Sequence, residues 1–85
     1  MKFILLGHLK EQAEERGIDI KLIEAAISNP EQIVPEVKGL KVAQNKFFDK
    51  NRNKEYLLRV IFRDEKDSRI GITAYKTSKI KKYWR

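Results

Sequence analysis

The chain has 85 residues, 19 of them Lys or Arg against 12 Asp or Glu, for a net charge of +7; this length is read as a single domain, 1–85, with one modest core. It contains no cysteine, which excludes disulfides, thiolate metal sites and cysteine nucleophiles. The charge is divided along the chain. Residues 1–36 hold four basic and seven acidic side chains, net −3, whereas residues 37–85 hold 15 basic and five acidic, net +10. A strongly basic half points to an anionic partner, of which nucleic acid is the commonest.

Phe3 to Leu6 reads as a short strand or the entry to a helix. This apolar run is too short for a signal-peptide core or a membrane span, so a cytoplasmic chain without membrane contact is expected. Residues 8–16 are rich in helix formers, with Leu5, Leu9 and Ala13 spaced by four and Gly17 at the position that ends helices in a left-handed turn. Arg16 is placed to complement the helix dipole. Asp19 is a candidate N-cap for a second helix, with Ile18 and Ile23 as a hydrophobic staple and Ile20, Ile23, Ala26 and Ile27 as its buried stripe. Asn29-Pro30 ends that helix, because the residue before proline avoids the α region. Residues 30–35 read as a connecting loop.

The periodicity then changes to two. Leu40, Val42 and Gln44 alternate with Lys41, Ala43 and Asn45, and the run continues through Phe48. Residues 49–54 form a polar turn. Residues 56–63 are the clearest strand: Tyr56, Leu58, Val60 and Phe62 make a core face, and Leu57, Arg59, Ile61 and Arg63 a half-polar one. After a turn at 64–68, Ile70, Ile72 and Ala74 alternate with Gly71, Thr73 and Tyr75. The expected fold is α+β, with two N-terminal helices packed on one face of a three- to four-stranded antiparallel sheet. Arg59, Thr73 and Tyr75 should share the other face, together with residues around Lys46.

Gly7, Gly17, Gly39 and Gly71 are isolated, so no phosphate-cradling glycine loop exists. The single histidine has no companion at metal-ligand spacing, and neither a metal nor a cofactor is expected. What remains is metal-free phosphate chemistry, in which RNA is cleaved by its own 2′-hydroxyl. That reaction needs a base, an acid and positive charge on the phosphorane. His8, Arg59, Thr73 and Tyr75 are the candidates. Each has a plainer structural reading: His8 as a boundary or capping residue, Arg59 as the partner of an acid, Thr73 and Tyr75 as ordinary strand formers. Lys76, Lys79, Lys81, Lys82 and Arg85 surround Tyr83 and Trp84 without an intervening acid. With Lys46 they read as a nucleic-acid surface, the alternative being a solvated tail.

Several short motifs fall in a defined order: His8, Arg16-Gly17-Ile18, Asn29-Pro30, Leu58-Arg59-Val60, Thr73-Ala74-Tyr75 and Lys82-Tyr83-Trp84. Together they resemble a family of small prokaryotic domains of unknown function met near toxin–antitoxin and polymorphic-toxin systems. That family is grouped by similarity with the barnase–EndoU–colicin–RelE superfamily of metal-independent ribonucleases, and it is similar to BrnT-type ribonuclease toxins. The resemblance implies a RelE/barnase-like fold, RNA as substrate and an active site on the open sheet face. An acidic protein partner, as an antitoxin would be, could cover the basic surface. The family's candidate catalytic positions correspond to His8, Arg59, Thr73 and Tyr75; Gly7 stands where many members carry a Ser or Thr cap. The function expected is therefore a metal-independent endoribonuclease of toxin–antitoxin type. The alternatives are a nucleic-acid-binding module without catalysis and a protein-interaction component.

Overall fold

A computed structural model describes all 85 residues. In chain order the elements are β1 (Lys2–Leu5), α1 (Gly7–Glu15), α2 (Ile20–Ser28), β2 (Gln32–Pro35), a 3-10 turn (Val37–Gly39), β3 (Lys41–Asp49), β4 (Lys54–Glu65), β5 (Ser68–Thr77) and α3 (Ile80–Tyr83). The five strands form one sheet in the order β1-β5-β4-β3-β2. The chain is α+β as expected, but the sheet has five strands and is mixed: β1 runs parallel to β5, and the other pairs are antiparallel.

Local signals at the helices act as the sequence indicates. Arg16 caps α1 and Gly17 follows in the left-handed region at φ 66°. The Asp19 carboxylate accepts from the Lys21 amide at 2.9 Å and opens α2, which ends at Ser28 just before Asn29-Pro30. Ile18, Ile23, Ala26 and Ile27 from this segment join Leu9 and Ala13 of α1 against Ala43, Leu58, Val60, Phe62 and Ala74 of the sheet. Full burial of each large member contributes roughly 1.5–3 kcal/mol.

Two expectations are corrected and one open reading is decided. Residues 30–35 are not simply a loop: Gln32, Val34 and Pro35 pair with Gln44, Val42 and Lys41. Val34 is buried, and Pro35 is tolerated because β2 is an edge strand. Leu5, a partner of Gly71, packs on the helix-side core, which draws the opening segment into the sheet as β1. The alternation of the last strand also breaks. The register runs Ile61↔Thr73 and then Phe62↔Gly71, so Ile72 is an extra residue in a bulge. Gly71 thereby joins Ala74 on the helix side, and Ile70 turns to the face of Thr73 and Tyr75. A Cβ at 71 would lie 3.0 Å from Leu5 Cδ2 and 3.1 Å from Leu9 Cδ1, so a side chain there would press on both.

The face away from α1 and α2 carries Val42, Gln44 and Lys46 of β3, Leu57 and Arg59 of β4, and Thr73 and Tyr75 of β5, by alternation and register. It is not open throughout. The segment after β5 turns back as α3 and covers part of it, with the Tyr83 carbonyl accepting from Gln44 Nε2 at 3.2 Å. Val42 and Leu57 on this face are fully buried. The basic end of the chain is thus a folded element, held by backbone and side-chain bonds, and not a free tail.

At the far end of β4 and β5, Asp64 and Arg69 face each other across the ladder. Lys41 Nζ lies 3.0 Å and Arg69 Nε 3.4 Å from the Asp64 carboxylate. The hydrogen bond from Lys41 is the main reason the Asp64 pKa is lowered; Arg69 adds to it, and partial desolvation opposes it. Arg69 also donates to the Ile27 carbonyl at 3.1 Å, tying the end of α2 to the sheet.

Candidate functional site

The site is built around Arg59 on β4. A polar residue at this point of an apolar strand is directed to the α3-covered face by strand alternation, and its cross-strand neighbours are Gln44 on β3 and Tyr75 on β5. Arg59 is only 7 % exposed and forms no salt bridge. Its Nε donates to Gln44 Oε1 at 2.7 Å, and its Nη1 donates to the Tyr75 hydroxyl. The Tyr83 ring lies over the guanidinium at 4.1 Å, and the Tyr75 ring at 5.6 Å. All of these partners are neutral. A guanidinium buried this deeply usually has a carboxylate beside it, because desolvating an unpaired cation costs several kcal/mol.

The remaining nitrogen, Nη2, has no intramolecular acceptor, yet no side-chain polar atom is both buried and unpartnered. Nη2 therefore reaches the surface. Arg59 lines a small cleft of about 210 Å³, together with Tyr83, Lys82, Arg85, Glu36 and Val34. Three cations, Arg59, Lys82 and Arg85, and one carboxylate, Glu36, line that space.

Two glutamines that were not singled out as site residues hold this arrangement. Gln44 is completely buried and uses its oxygen for Arg59 and its Nε2 for Gln32 Oε1 and the Tyr83 carbonyl, each at 3.2 Å. Gln32 in turn donates to the Arg85 carbonyl and accepts from the Arg85 amide. The signal for Gln44 was present in its alternation with Leu40 and Val42, which makes it a polar residue on an apolar face. Its pairing with Arg59 required the strand register.

Thr73 and Tyr75 share the Arg59 face as expected, but His8 belongs to a separate group. The Thr73 hydroxyl donates to Gln12 Oε1, and Gln12 Nε2 donates to His8 Nε2 at 3.0 Å. His8 Nε2 is thus the acceptor, which places the proton of the neutral ring on Nδ1. No hydrogen bond joins this group to Arg59, although Thr73 and Tyr75 are only two residues apart on β5, roughly 7 Å along the strand. Arg16 does more than face a helix end: its Nη1 donates to the Ala74 carbonyl at 2.6 Å, fastening α1 to β5.

The expected nucleic-acid residues divide into three. Lys46, Lys79, Lys82 and Trp84 line one open groove of about 800 Å³ beside α3, with Lys46 Nζ 4.1 Å from the Trp84 ring centre. Tyr83 is turned onto Arg59 instead. Lys76 lies on the opposite, helix-side face, 3.6 Å from Asp49 and over the Tyr56 ring, and does not join the groove. No group of three or more His, Asp or Glu side chains is placed to hold a metal ion. No helix is long and apolar enough to cross a membrane. The chain matches no protein-family model, no curated protein and no solved structure.

Proposed function

We propose that this chain is a metal-independent RNA-cleaving domain of the toxin kind that its sequence resembles, with Arg59 as its phosphate ligand. The supporting observation is the state of Arg59: buried, without a carboxylate, and lining a cleft with Lys82 and Arg85. A phosphodiester supplies the missing negative charge, and its oxygens match the fork of a guanidinium.

In this reading the ribose 2′-oxygen attacks the adjacent phosphorus and the bond to the 5′-oxygen breaks. The products are a 2′,3′-cyclic phosphate and a free 5′-hydroxyl. One proton leaves the 2′-oxygen and one reaches the 5′-oxygen, so no water or metal is consumed. Arg59 neutralises the non-bridging oxygens, and the Tyr75 hydroxyl bonded to it is the nearest proton-bearing group. In this reading the His8 imidazole, positioned at the margin of β5 by Gln12, accepts the 2′-proton, and the Tyr75 hydroxyl gives its proton to the 5′-oxygen and regains one from solvent. An acidic antitoxin that covers the basic face is the protein partner this reading carries.

Purified chain incubated with RNA in EDTA should yield cyclic-phosphate ends. Arg59→Lys and Tyr75→Phe should each slow cleavage by about 100-fold or more. No cleavage, or cleavage unchanged by both substitutions, would refute catalysis at this site. The second reading, an RNA-binding module without catalysis, is favoured by one observation: His8 and Arg59 belong to separate hydrogen-bond groups. It predicts salt-dependent binding with no cyclic-phosphate product.

A further inference from the structure

The groove on the other side of α3 has a composition that the Arg59 cleft does not explain. Lys46, Lys79, Lys81 and Lys82 line it with Trp84, and Glu55 is the one carboxylate among the lining residues. Lys82 lines both the groove and the Arg59 cleft, so the two sites are contiguous around α3. Trp84 is half-buried, the only tryptophan of the chain, and its ring is covered by the Lys46 ammonium and by no other aromatic group.

We infer that this groove binds a single-stranded stretch of RNA, with one base stacked on Trp84 and the flanking phosphates on the lysines. The inference rests on the RNA reading above and specifies which form of RNA is taken. A paired duplex keeps its base faces inside the stack, whereas a single strand presents them to an aromatic ring. In the free chain the Lys46 ammonium occupies the Trp84 ring. An incoming base takes that ring, and the ammonium moves to the neighbouring phosphate. Glu55 opposes the phosphates and weakens the site.

The probe is a 12-nucleotide 2′-O-methyl oligouridylate, which has no free 2′-hydroxyl and is not cleaved by the proposed chemistry. Its binding should quench the intrinsic fluorescence of Trp84, while a blunt duplex of the same length should leave that signal unchanged. With all four lysines on phosphates, log affinity should fall against log salt with a slope of about −3. Trp84→Leu should weaken single-strand binding about 10- to 100-fold, the loss of one stacked base. Glu55→Gln should tighten it. Absence of quenching by the single strand, or equal quenching by the duplex, overturns the inference in the unaltered chain, whatever the folding of the variants. A chain that cleaves RNA without quenching loses the groove alone. One that quenches without cleaving loses the catalytic reading alone.

Discussion

Replacing Gln44 with leucine should destabilise the fold by about 3 kcal/mol, and adding Arg59→Met should recover much of that loss. Gln44→Leu removes the acceptor of Arg59 Nε, a hydrogen bond to a charged group worth about 1.5–3 kcal/mol, and a donor to the Tyr83 carbonyl worth about 1 kcal/mol. It leaves a buried cation with one neutral partner fewer. Arg59→Met alone strands the fully buried Gln44 oxygen, but it also removes an unpaired buried charge, so its net cost is only about 1 kcal/mol. With both gone, the remaining loss is the pair of Gln44 Nε2 bonds, to the Tyr83 carbonyl and Gln32 Oε1, together about 1 kcal/mol, while methionine can keep contact with the tyrosine ring. The singles together would predict about 4 kcal/mol and the double should show about 1, a coupling of about 3 kcal/mol. For a domain of this size Gln44→Leu should lower the melting temperature by about 12–24 °C. Urea denaturation of the four proteins in one buffer measures the cycle. Strict additivity would refute the idea that the pair holds an otherwise uncompensated cation. Recovery of stability in the double variant together with loss of RNA cleavage would show that Arg59 is kept for its ligand and not for the fold.

The lowered Asp64 pKa makes a pH-dependent contribution. The folded value lies below the ordinary 3.8, so this stability is present above that pH and is lost as the pH falls through the folded value. Acid titration of unfolding should therefore show a loss below about pH 4 that Asp64→Asn removes; identical acid limbs would contradict it. Gly71→Ala should cost about 1–3 kcal/mol, because the new methyl meets Leu5 and Leu9 of the packed core. Gly7→Ala, which meets nothing within 4 Å, is the control and should be neutral or stabilising in the same denaturation assay.

The helices and the central strands were readable because their signals are local. Asp19, Gly17 and Asn29-Pro30 fix boundaries within a few residues of themselves, and the even-numbered apolar set of β4 marks its core face. β2 escaped, and β1 was legible only as a strand or a helix entry, because each is four residues long and owes its conformation to a distant partner. The bulge at Ile72 escaped for a related reason. Nothing in the alternation of 70–75 distinguishes it, and it shows only in the register and in the close approach of Leu5, Leu9 and Ile27 to Gly71. In the candidate site, an isolated arginine in an apolar strand pointed to Arg59, and period two placed Thr73 and Tyr75 on its face. Gln44 was visible only as a polar residue on an apolar face, and Gln32 and Gln12 were not apparent, since glutamine carries no charge signature and acts here through register. The separation of His8 from Arg59 depends on where α1 lies along β5, which no residue pattern encodes.

The parallel pairing of β1 with β5 bears on the order in which the molecule assembles. Lys2 faces Ser68 and Leu5 faces Gly71, so these ladder bonds close a loop that contains most of the chain. Such a closure carries a large entropic cost and is made after the neighbouring antiparallel strands have formed. The β3–β4–β5 meander, joined by short turns, is the natural first sheet. The expected order has β1 docking on its margin late, and with it the α1 residues His8 and Gln12, of which Gln12 bonds to Thr73. Amide exchange should reflect this sequence, with β1 opening before β4. A chain whose margin has opened would keep the Arg59 cleft and the α3 groove while its histidine is withdrawn, so the anion sites and the histidine can be gained and lost separately.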